Sequence, residues 1–296
     1  MTGEIDPRAV LRSLGYDDVE ALERVLGGWE TSLWRFATPG GERHALRVHP
    51  GPEHALAARN EEAALRACVA AGVPAPAVEA TGQWEGQPLL VLSWCPGRTC
   101  LDTMLRRPWS TWRLGLSLGR QQARIHRVPP PSVLLEGAPE YWLAKGALQC
   151  PEVFARVRRM ALSTASLIHL DYHPLNVLMD RGRITGIVDW SNAAAGDPRA
   201  DFARTAALLL TASSPPGPAR LLIGAARRLF YLAWRRGYVS EAGPQGDLAL
   251  LMAWAGASRL QDLEYARTRP QSWAGEGDFV AARRWVDHWK RRAGIP

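Results

Sequence analysis

Lysine is almost missing from this sequence. Of its 36 basic residues only Lys145 and Lys290 are lysines, so arginine carries the formal net charge of +7. A basic balance can indicate a nucleic-acid or membrane partner, but the arginines stand singly or in short pairs such as Arg227–Arg228, Arg235–Arg236 and Arg283–Arg284. Because no long basic tract occurs, solvated helix faces are the expected explanation, with neither nucleic acid nor membrane as a partner.

Cysteine motifs are missing as well. The cysteines form neither a C-x-x-C pair nor a zinc-spaced set with histidine; they are Cys68, Cys95, Cys100 and Cys150. This spacing disfavours disulfide scaffolds and zinc modules. We expect buried or neutral thiols in a reducing cytoplasm.

Long apolar runs, internal repeats and low-complexity segments are also lacking. The longest apolar candidate, near Ala206 to Leu210, is stopped by Ser213-Ser214-Pro215-Pro216, so no membrane span is predicted. The start MTGEIDPRAV has neither a basic region nor an apolar core, which favours a cytoplasmic protein. A chain of 296 residues with 47% hydrophobic and 22% charged residues is typical of an ordered globular protein, with two modest domains or one bilobed one.

What the sequence does have is a dense set of polar residues between positions 168 and 202. His169, Asp171 and Asn176 form the pattern H-x-D-x-x-x-x-N, and Asp189 follows thirteen residues later at the end of a mostly apolar run. Each of these residues alone is more often a turn former than a catalyst. The complete set favours a functional site.

A predicted hairpin gathers this set. Val177 to Met179 and Arg183 to Val188 are indicated as its two strands, separated by turn residues. Asp171 and Asn176 precede the hairpin on a loop, and Asp189 ends its second strand, so the sequence predicts that all three meet at one end. Oxygen ligands of this kind suit Mg²⁺ held together with substrate phosphates, and Asp171 is left to accept a proton. Phosphoryl transfer needs both functions.

This segment resembles the catalytic segment of the aminoglycoside phosphotransferase family, small-molecule kinases with a protein-kinase-like fold. The family pattern is H-G-D-x-H-x-x-N, followed by I-D-W and G-D-P-x-x-D. The resemblance implies that Asp171 is the catalytic base, that Asn176 and Asp189 hold magnesium, and that His169 and Asp201 are structural. At position 170 the chain has leucine where the family has glycine.

The amino-terminal third resembles the same family less specifically. GGWETSLWRF followed by ALRV is similar to the family's G-G-x-x-N-x-x-Y-R and V-L-R, although a Gly-Gly pair by itself is an ordinary turn. The resemblance implies a nucleotide site for ATP or GTP, with Ser93 and Cys95 as hinge residues facing the adenine edge. The residues expected to form this nucleotide site are Gly28, Thr31, Ser32, Arg47, Glu61, Ser93 and Cys95.

Arg47 stands where protein kinases carry a strand lysine that contacts the nucleotide phosphates. A guanidinium stays charged and binds phosphate bidentately, so arginine is compatible with that role. A helix predicted from Ala55 to Ala71 carries Glu61, which is expected to pair with Arg47. The alternative is that Glu61 and its neighbour Glu62 are both surface helix residues.

We therefore predict an α+β fold of the bilobed kinase type, with a five-stranded antiparallel sheet and one main helix in the first lobe. The predicted divisions are a nucleotide-binding lobe at 1–92, a hinge at 93–97 and a mostly helical lobe at 98–296. Predicted helices in the last part cover residues 114–128, 152–162, 203–210, 219–236, 248–267 and 280–292.

The predicted function is transfer of the γ-phosphoryl group of ATP or GTP to a hydroxyl of a small molecule, an antibiotic such as a macrolide or aminoglycoside, or a metabolite. Candidate acceptor-binding carboxylates are Asp262, Glu264, Glu276 and Asp278, each of which alone could be an ordinary exposed residue. Because these are few among many arginines, an acceptor with at most about one or two positive charges is expected. Two alternatives stay open, a non-catalytic nucleotide-binding protein of the same fold and a basic nucleic-acid binder.

Overall fold

A computed structural model describes residues 5–25, 31–212, 217, 219–269 and 274–296. Gly28, one of the residues expected to bind nucleotide, lies outside the described residues. The first part of the chain consists of two helices and five strands: α1 (Pro7–Ser13), β1 (Glu20–Arg24), β2 (Ser32–Ala37), β3 (Arg43–Val48), α2 (Ala55–Ala70), β4 (Val78–Trp84) and β5 (Gln87–Ser93).

The five strands form one antiparallel sheet in the order β1-β2-β3-β5-β4. Side chains alternate across a strand, so the two faces of β3 meet different helices. Leu46 and Val48 join a core with α1, whereas Ala45 packs in the core that includes Leu65 of α2. Arg47 shares the face of Ala45 and is thereby directed towards α2. The predicted five-stranded sheet with one main helix is confirmed.

The second part is mostly helical. Its elements are β6 (Arg98–Thr99), α3 (Cys100–Arg106), α4 (Thr111–Ile125), α5 (Ser132–Leu135), α6 (Glu140–Leu143), α7 (Pro151–Val157), β7 (Ser166–Ile168), β8 (Val177–Asp180), β9 (Arg183–Ile187), β10 (Ala194–Gly196), α8 (Pro198–Thr211), α9 (Ala219–Ala242), α10 (Ala249–Arg267) and α11 (Glu276–Arg292). β8 and β9 are the predicted hairpin.

Several boundaries differ from the sequence-based prediction. The helix expected to reach residue 162 ends at Val157, and the chain beyond it turns so that the Ser163 amide donates to the Asp197 carboxylate at 3.2 Å. The short strands β6 and β10 were not predicted. They pair with β8 and β7, which are distant in sequence, so no local pattern marks them.

The helical part is built around buried aromatic side chains. Trp142 of α6 and Trp254 of α10 meet edge to face with ring centroids 5.1 Å apart, and Trp234 of α9 stacks on Phe202 of α8 at 4.5 Å. Trp234 and Trp254 are at most 1% exposed, so they belong to the core. No helix among the described residues has the length and apolar character needed to cross a membrane.

All four cysteines are free and buried, as expected from the lack of cysteine motifs. Burial raises the pKa of the Cys68 and Cys100 thiols to about 12 and that of Cys95 to about 11. These groups therefore stay protonated at neutral pH, and they are poor nucleophiles because the thiolate is the reactive form.

Candidate active site

One buried carboxylate anchors the loop between β7 and β8, residues 169–176. Asp201, in the first turn of α8, accepts hydrogen bonds from the Leu170 amide at 2.6 Å and the His169 amide at 3.3 Å. Asp201 Oδ2 also lies 2.8 Å from His126 Nε2 and accepts a hydrogen bond from Gln122 Nε2 at 3.1 Å. Burial by itself would raise the pKa of Asp201, but the hydrogen bond and charge of His126 outweigh it, so the pKa lies below its ordinary value. The hydrogen bonds expected from Asp201 to the loop are therefore present.

Leu170 holds the centre of this loop in a left-handed conformation, with φ +63°. That region costs a non-glycine residue roughly 1–2 kcal/mol. The Leu170 side chain is 1% exposed, and full burial of a leucine contributes about 1.5–3 kcal/mol. Its carbonyl also accepts a hydrogen bond from Arg204 Nε at 3.1 Å. Packing and hydrogen bonding thus offset the strain of having leucine at position 170, where the family that the sequence resembles has glycine.

Asp171 follows Leu170 and has a side chain that is 23% exposed. It accepts a hydrogen bond from Asn176 Nδ2 at 3.0 Å and lies 3.4 Å from His173 Nε2. Burial acts to raise the pKa of Asp171, but the charge and hydrogen bond of His173, with Arg204 and His169, outweigh it and hold the pKa well below its ordinary value. The group is therefore an accessible, ionised carboxylate at neutral pH.

Asp189 lies beyond the end of β9 with a side chain that is 40% exposed and φ +65°. The preceding residue fixes it on both sides, since the Val188 amide donates to the Asn176 carbonyl at 2.9 Å and the Val188 carbonyl lies 3.2 Å from His169 Nε2. Asp171, Asn176 and Asp189 are thus joined by one short network, at the end of the hairpin where the sequence placed them. His169 contacts this network without facing solvent, at 0% exposure.

A buried ion pair connects the sheet to α2 and to Asp189. Arg47 Nη1 donates to Glu61 Oε1 at 2.5 Å and to Asp189 Oδ1 at 3.4 Å. Burial would lower the pKa of Arg47 and raise that of Glu61, but their mutual attraction outweighs it, and the pKa of Glu61 is held at about 2. His49 Nε2 lies 3.5 Å from the second Glu61 oxygen. The expected contact between Arg47 and Glu61 is present, and Arg47 also joins the sheet to Asp189 after β9.

Comparison with known proteins shows the family and the fold of this chain. A family profile described as "Phosphotransferase enzyme family" matches residues 21–238. The chain belongs to this family. Its fold is the bilobed kinase-like fold of aminoglycoside phosphotransferases, as two solved structures illustrate.

One of these is a thermostable mutant of aminoglycoside phosphotransferase APH(4)-Ia, in ternary complex with AMP-PNP and hygromycin B. Its sequence is 18% identical to this chain, and the TM-score is 0.62. The match covers 96% of this chain and 97% of the solved one. The other is the GDP and kanamycin complex of APH(2")-IIia, at 18% identity, the same coverage and a TM-score of 0.61. A curated relative, the uncharacterized protein YcbJ of Bacillus subtilis (strain 168), is 51% identical over 39 residues, and the match spans only 13% of its length.

The segment expected to form the hinge, residues 93–97, begins at the end of β5. The Ser93 hydroxyl accepts the Ala77 amide at 2.8 Å and the Ser93 amide donates to the Ala77 carbonyl at 2.9 Å, so Ser93 is engaged within the lobe. Among the described residues none accepts a hydrogen bond from the Cys95 amide. The role of Cys95 at the adenine edge stays a prediction. Thr31 precedes β2, and Ser32, its first residue, pairs with Val48 of β3.

The four candidate acceptor carboxylates do not form one cluster of free charges. Asp262 accepts a hydrogen bond from Arg204 Nη2 at 2.7 Å, and Glu264 pairs with Arg267 at 3.3 Å. Asp278 is buried and accepts the Gly275 amide at 3.1 Å, at the start of α11. Glu276 is exposed in the same helical turn.

Sequence reasoning missed five residues that hold the site. They are His49, Gln122, His126, His173 and Arg204. Three of them carried a signal. Gln122 and His126 continue the buried stripe of α4 four residues apart after Leu118, so they could be expected to face inwards. His173 stands at the second histidine of the family pattern.

Proposed function

We propose that this chain transfers the γ-phosphoryl group of ATP or GTP to a hydroxyl of a small molecule. The observation that carries the proposal is the convergence of Asp171, Asn176 and Asp189 beside the Arg47–Glu61 pair. This arrangement combines an accessible carboxylate, oxygen ligands for a cation and a fixed positive charge, which are the parts that phosphoryl transfer uses.

The residues present fit a magnesium ion that also contacts substrate phosphates. Asn176 donates through its nitrogen to Asp171, which leaves its amide oxygen available, and the Asp189 carboxylate is partly exposed. The described residues contain no group of three or more His, Cys, Asp or Glu side chains that could hold a metal ion by themselves. Mg²⁺ commonly takes one or two protein ligands and completes its shell with phosphate oxygens and water, and when bound it would neutralise phosphate charge.

Asp171 is proposed to orient the acceptor hydroxyl and to take its proton. The acceptor oxygen forms a bond to the γ-phosphorus, the bond from that phosphorus to the β-phosphate oxygen breaks, and a nucleoside diphosphate leaves. The low pKa of Asp171 means that it accepts the proton late, as the oxygen loses its electrons to phosphorus. Arg204 and His173 keep the carboxylate ionised and ready to accept a hydrogen bond.

Arg47 is expected to contribute to nucleotide affinity through its guanidinium. Only Nη1 contacts Glu61 and Asp189, so Nη2 remains available for a phosphate oxygen. Arg47→Lys should weaken nucleotide binding without abolishing it, because an ammonium group replaces the planar guanidinium that can donate two hydrogen bonds to phosphate. Arg47→Ala should weaken binding further. Calorimetric titration of ATP and GTP measures this order, with Arg43→Lys as an exposed control on the same strand. Equal affinity in all variants would show that Arg47 does not contact the nucleotide.

Asp189 is expected to act through the cation. Asp189→Ala should remove the magnesium dependence of nucleotide binding, since a carboxylate ligand is lost while Arg47 and the hinge remain. Nucleotide affinity measured with and without Mg²⁺ should differ strongly in the wild type and little in the variant. An unchanged magnesium titration in Asp189→Ala would remove this residue from the metal site.

The acceptor is expected to carry at most about one or two positive charges. Asp262 and Glu264 are already paired with arginines, and Asp278 is buried, so few free carboxylates remain to replace the hydration of a polycation. Phosphorylation of a panel containing macrolides, aminoglycosides, sugars, choline and homoserine, with products located by mass spectrometry, tests both activity and acceptor class. Efficient turnover of a highly charged aminoglycoside, weakened by salt and by Glu264→Gln, would contradict this expectation.

A non-catalytic nucleotide-binding protein is the second candidate. Arginine in place of the strand lysine favours it, whereas the assembled Asp171, Asn176 and Asp189 network argues against it. Nucleotide binding without turnover of any acceptor or of water would support this second candidate.

A further inference from the structure

Helices α4 and α9 pack side by side through glycine, and this contact turns their outer faces into one surface. A side chain at Gly119 would meet the Trp234 carbonyl at 2.0 Å, and one at Gly237 would meet the Leu116 carbonyl at 2.3 Å. Because the backbones touch, residues on the far sides of both helices lie close together. Leu116 and Arg120 of α4 line a groove of about 710 Å³ together with Leu232, Arg235, Arg236, Val239 and Ser240 of α9.

Large apolar side chains are exposed along α9, in the first turn of α4 and just before it. The exposed fraction is 81% for Trp109, 83% for Leu221 and 75% for Leu222, while Trp112, Leu229 and Leu232 are between 40% and 51% exposed. Leu229 and Leu232 share a face of α9, as Trp112 and Leu116 share a face of α4. Helices α4 and α9 are parallel. The contacts between them therefore place Trp112 of α4 beside the turn of α9 that contains Leu229. We call this set, with its arginines, the α4/α9 surface.

The charge of the α4/α9 surface has one sign. Helix α4 contains no Asp or Glu, and the single acidic residue of α9, Glu241, lies at its end and pairs with Arg127 at 3.3 Å. Arg120, Arg228, Arg235 and Arg236 make no hydrogen bond or ion pair with any other described side chain. Their separation in the sequence predicted solvated helix faces, but the packing gathers them beside exposed tryptophan and leucine.

We propose that the α4/α9 surface docks reversibly on an anionic lipid membrane. Exposed tryptophan and leucine that protrude beside arginine suit the boundary between headgroups and acyl chains, where apolar side chains insert and guanidinium groups meet lipid phosphates. A second copy of the chain fits less well, because a two-fold contact would bring the same arginines together. A nucleic acid would use the arginines and leave the protruding leucines without a partner.

The test is flotation of the 296-residue chain with vesicles, without nucleotide or acceptor, so that it is independent of the proposed phosphoryl transfer. Vesicles of phosphatidylcholine with phosphatidylglycerol should carry the protein, and vesicles of phosphatidylcholine alone should not. Arg235→Gln with Arg236→Gln should lower the partition coefficient by roughly 25-fold, about fivefold for each charge. Trp109→Ser with Leu222→Ser should lower it by at least tenfold, on the order of the transfer of two apolar side chains.

Matched controls lie outside the surface. Arg158→Gln with Arg159→Gln removes an equally exposed arginine pair, and Leu148→Ser removes a leucine that is 89% exposed, so both should bind vesicles within about twofold of the wild type. No flotation with anionic vesicles at low salt, or equal losses in surface and control variants, would overturn the proposal. A dimer in solution that is dissociated by Leu229→Glu would also overturn the proposal. RNA binding that is weakened by the arginine variants but not by the Trp109 variant would overturn it as well.

Discussion

Replacing Asp171 with alanine is expected to lower turnover by roughly 10²- to 10⁴-fold, the usual contribution of a positioned general base. The loss should fall on the chemical step, since Asp171 is proposed to act on the acceptor hydroxyl, whereas nucleotide binding is proposed to depend on Arg47 and Asp189, which contact each other at 3.4 Å. Initial rates with any acceptor found in the panel, compared with nucleotide affinity by calorimetry, separate the two effects.

Asp180→Ala is the matched control for this substitution. Asp180 is a half-exposed carboxylate at the tip of the β8–β9 hairpin, and its removal should leave turnover unchanged. If Asp171→Ala keeps near-wild-type turnover, the carboxylate has no part in the reaction. If it loses nucleotide affinity as strongly as turnover, Asp171 acts in binding.

Asp201→Asn is expected to produce the largest loss of stability, about 3–5 kcal/mol in the free energy of unfolding, the range for breaking a buried pair from one side. The asparagine nitrogen would face donors, because the Asp201 oxygens accept bonds from Leu170, His169, His126 and Gln122. Urea unfolding measures the change. Glu264→Gln, which removes an exposed carboxylate charge, should change stability by at most about 0.5 kcal/mol.

The pH dependence gives a second measure of Asp201. Its folded pKa is depressed, so its stabilisation is present at neutral pH and is lost as pH falls through the folded pKa. The difference in unfolding free energy between wild type and Asp201→Asn should therefore shrink below about pH 4, the ordinary range of a carboxyl group. A difference that stays constant with pH would show that the charge of Asp201 does not stabilise the fold.

Glu61 and Glu62 show what the local sequence pattern can predict and what it cannot. On α2 the buried positions include Ala58, Glu61, Leu65 and Cys68, at helical spacing, and Glu62 lies beside this stripe and pairs with Arg66. The spacing favours Glu61 as the inward carboxylate. Its partner is Arg47 because alternation on β3 sends that side chain to the α2 face, a fact that needs the sheet and helix to be packed together.

Other features had no local signal. Asp262 was a candidate for acceptor binding, and the fold pairs it with Arg204, 58 residues away. Residues 98–99 form a strand only because β8 lies beside them, since two residues carry no periodicity. Such contacts join segments far apart in the chain, and their geometry depends on how helices and sheets pack.

The sequence by itself determined the family, the five-stranded sheet and the proximity of Asp171, Asn176 and Asp189. Strand alternation and turn residues are local, and Asp171, Asn176 and Asp189 lie within one short segment whose hairpin brings its ends together. The tertiary structure alone decided which charges are compensated. It paired Asp262 with Arg204, and it collected separated arginines on the α4/α9 surface, because neighbours across packed elements are set by backbone contact and burial rather than by spacing in the chain.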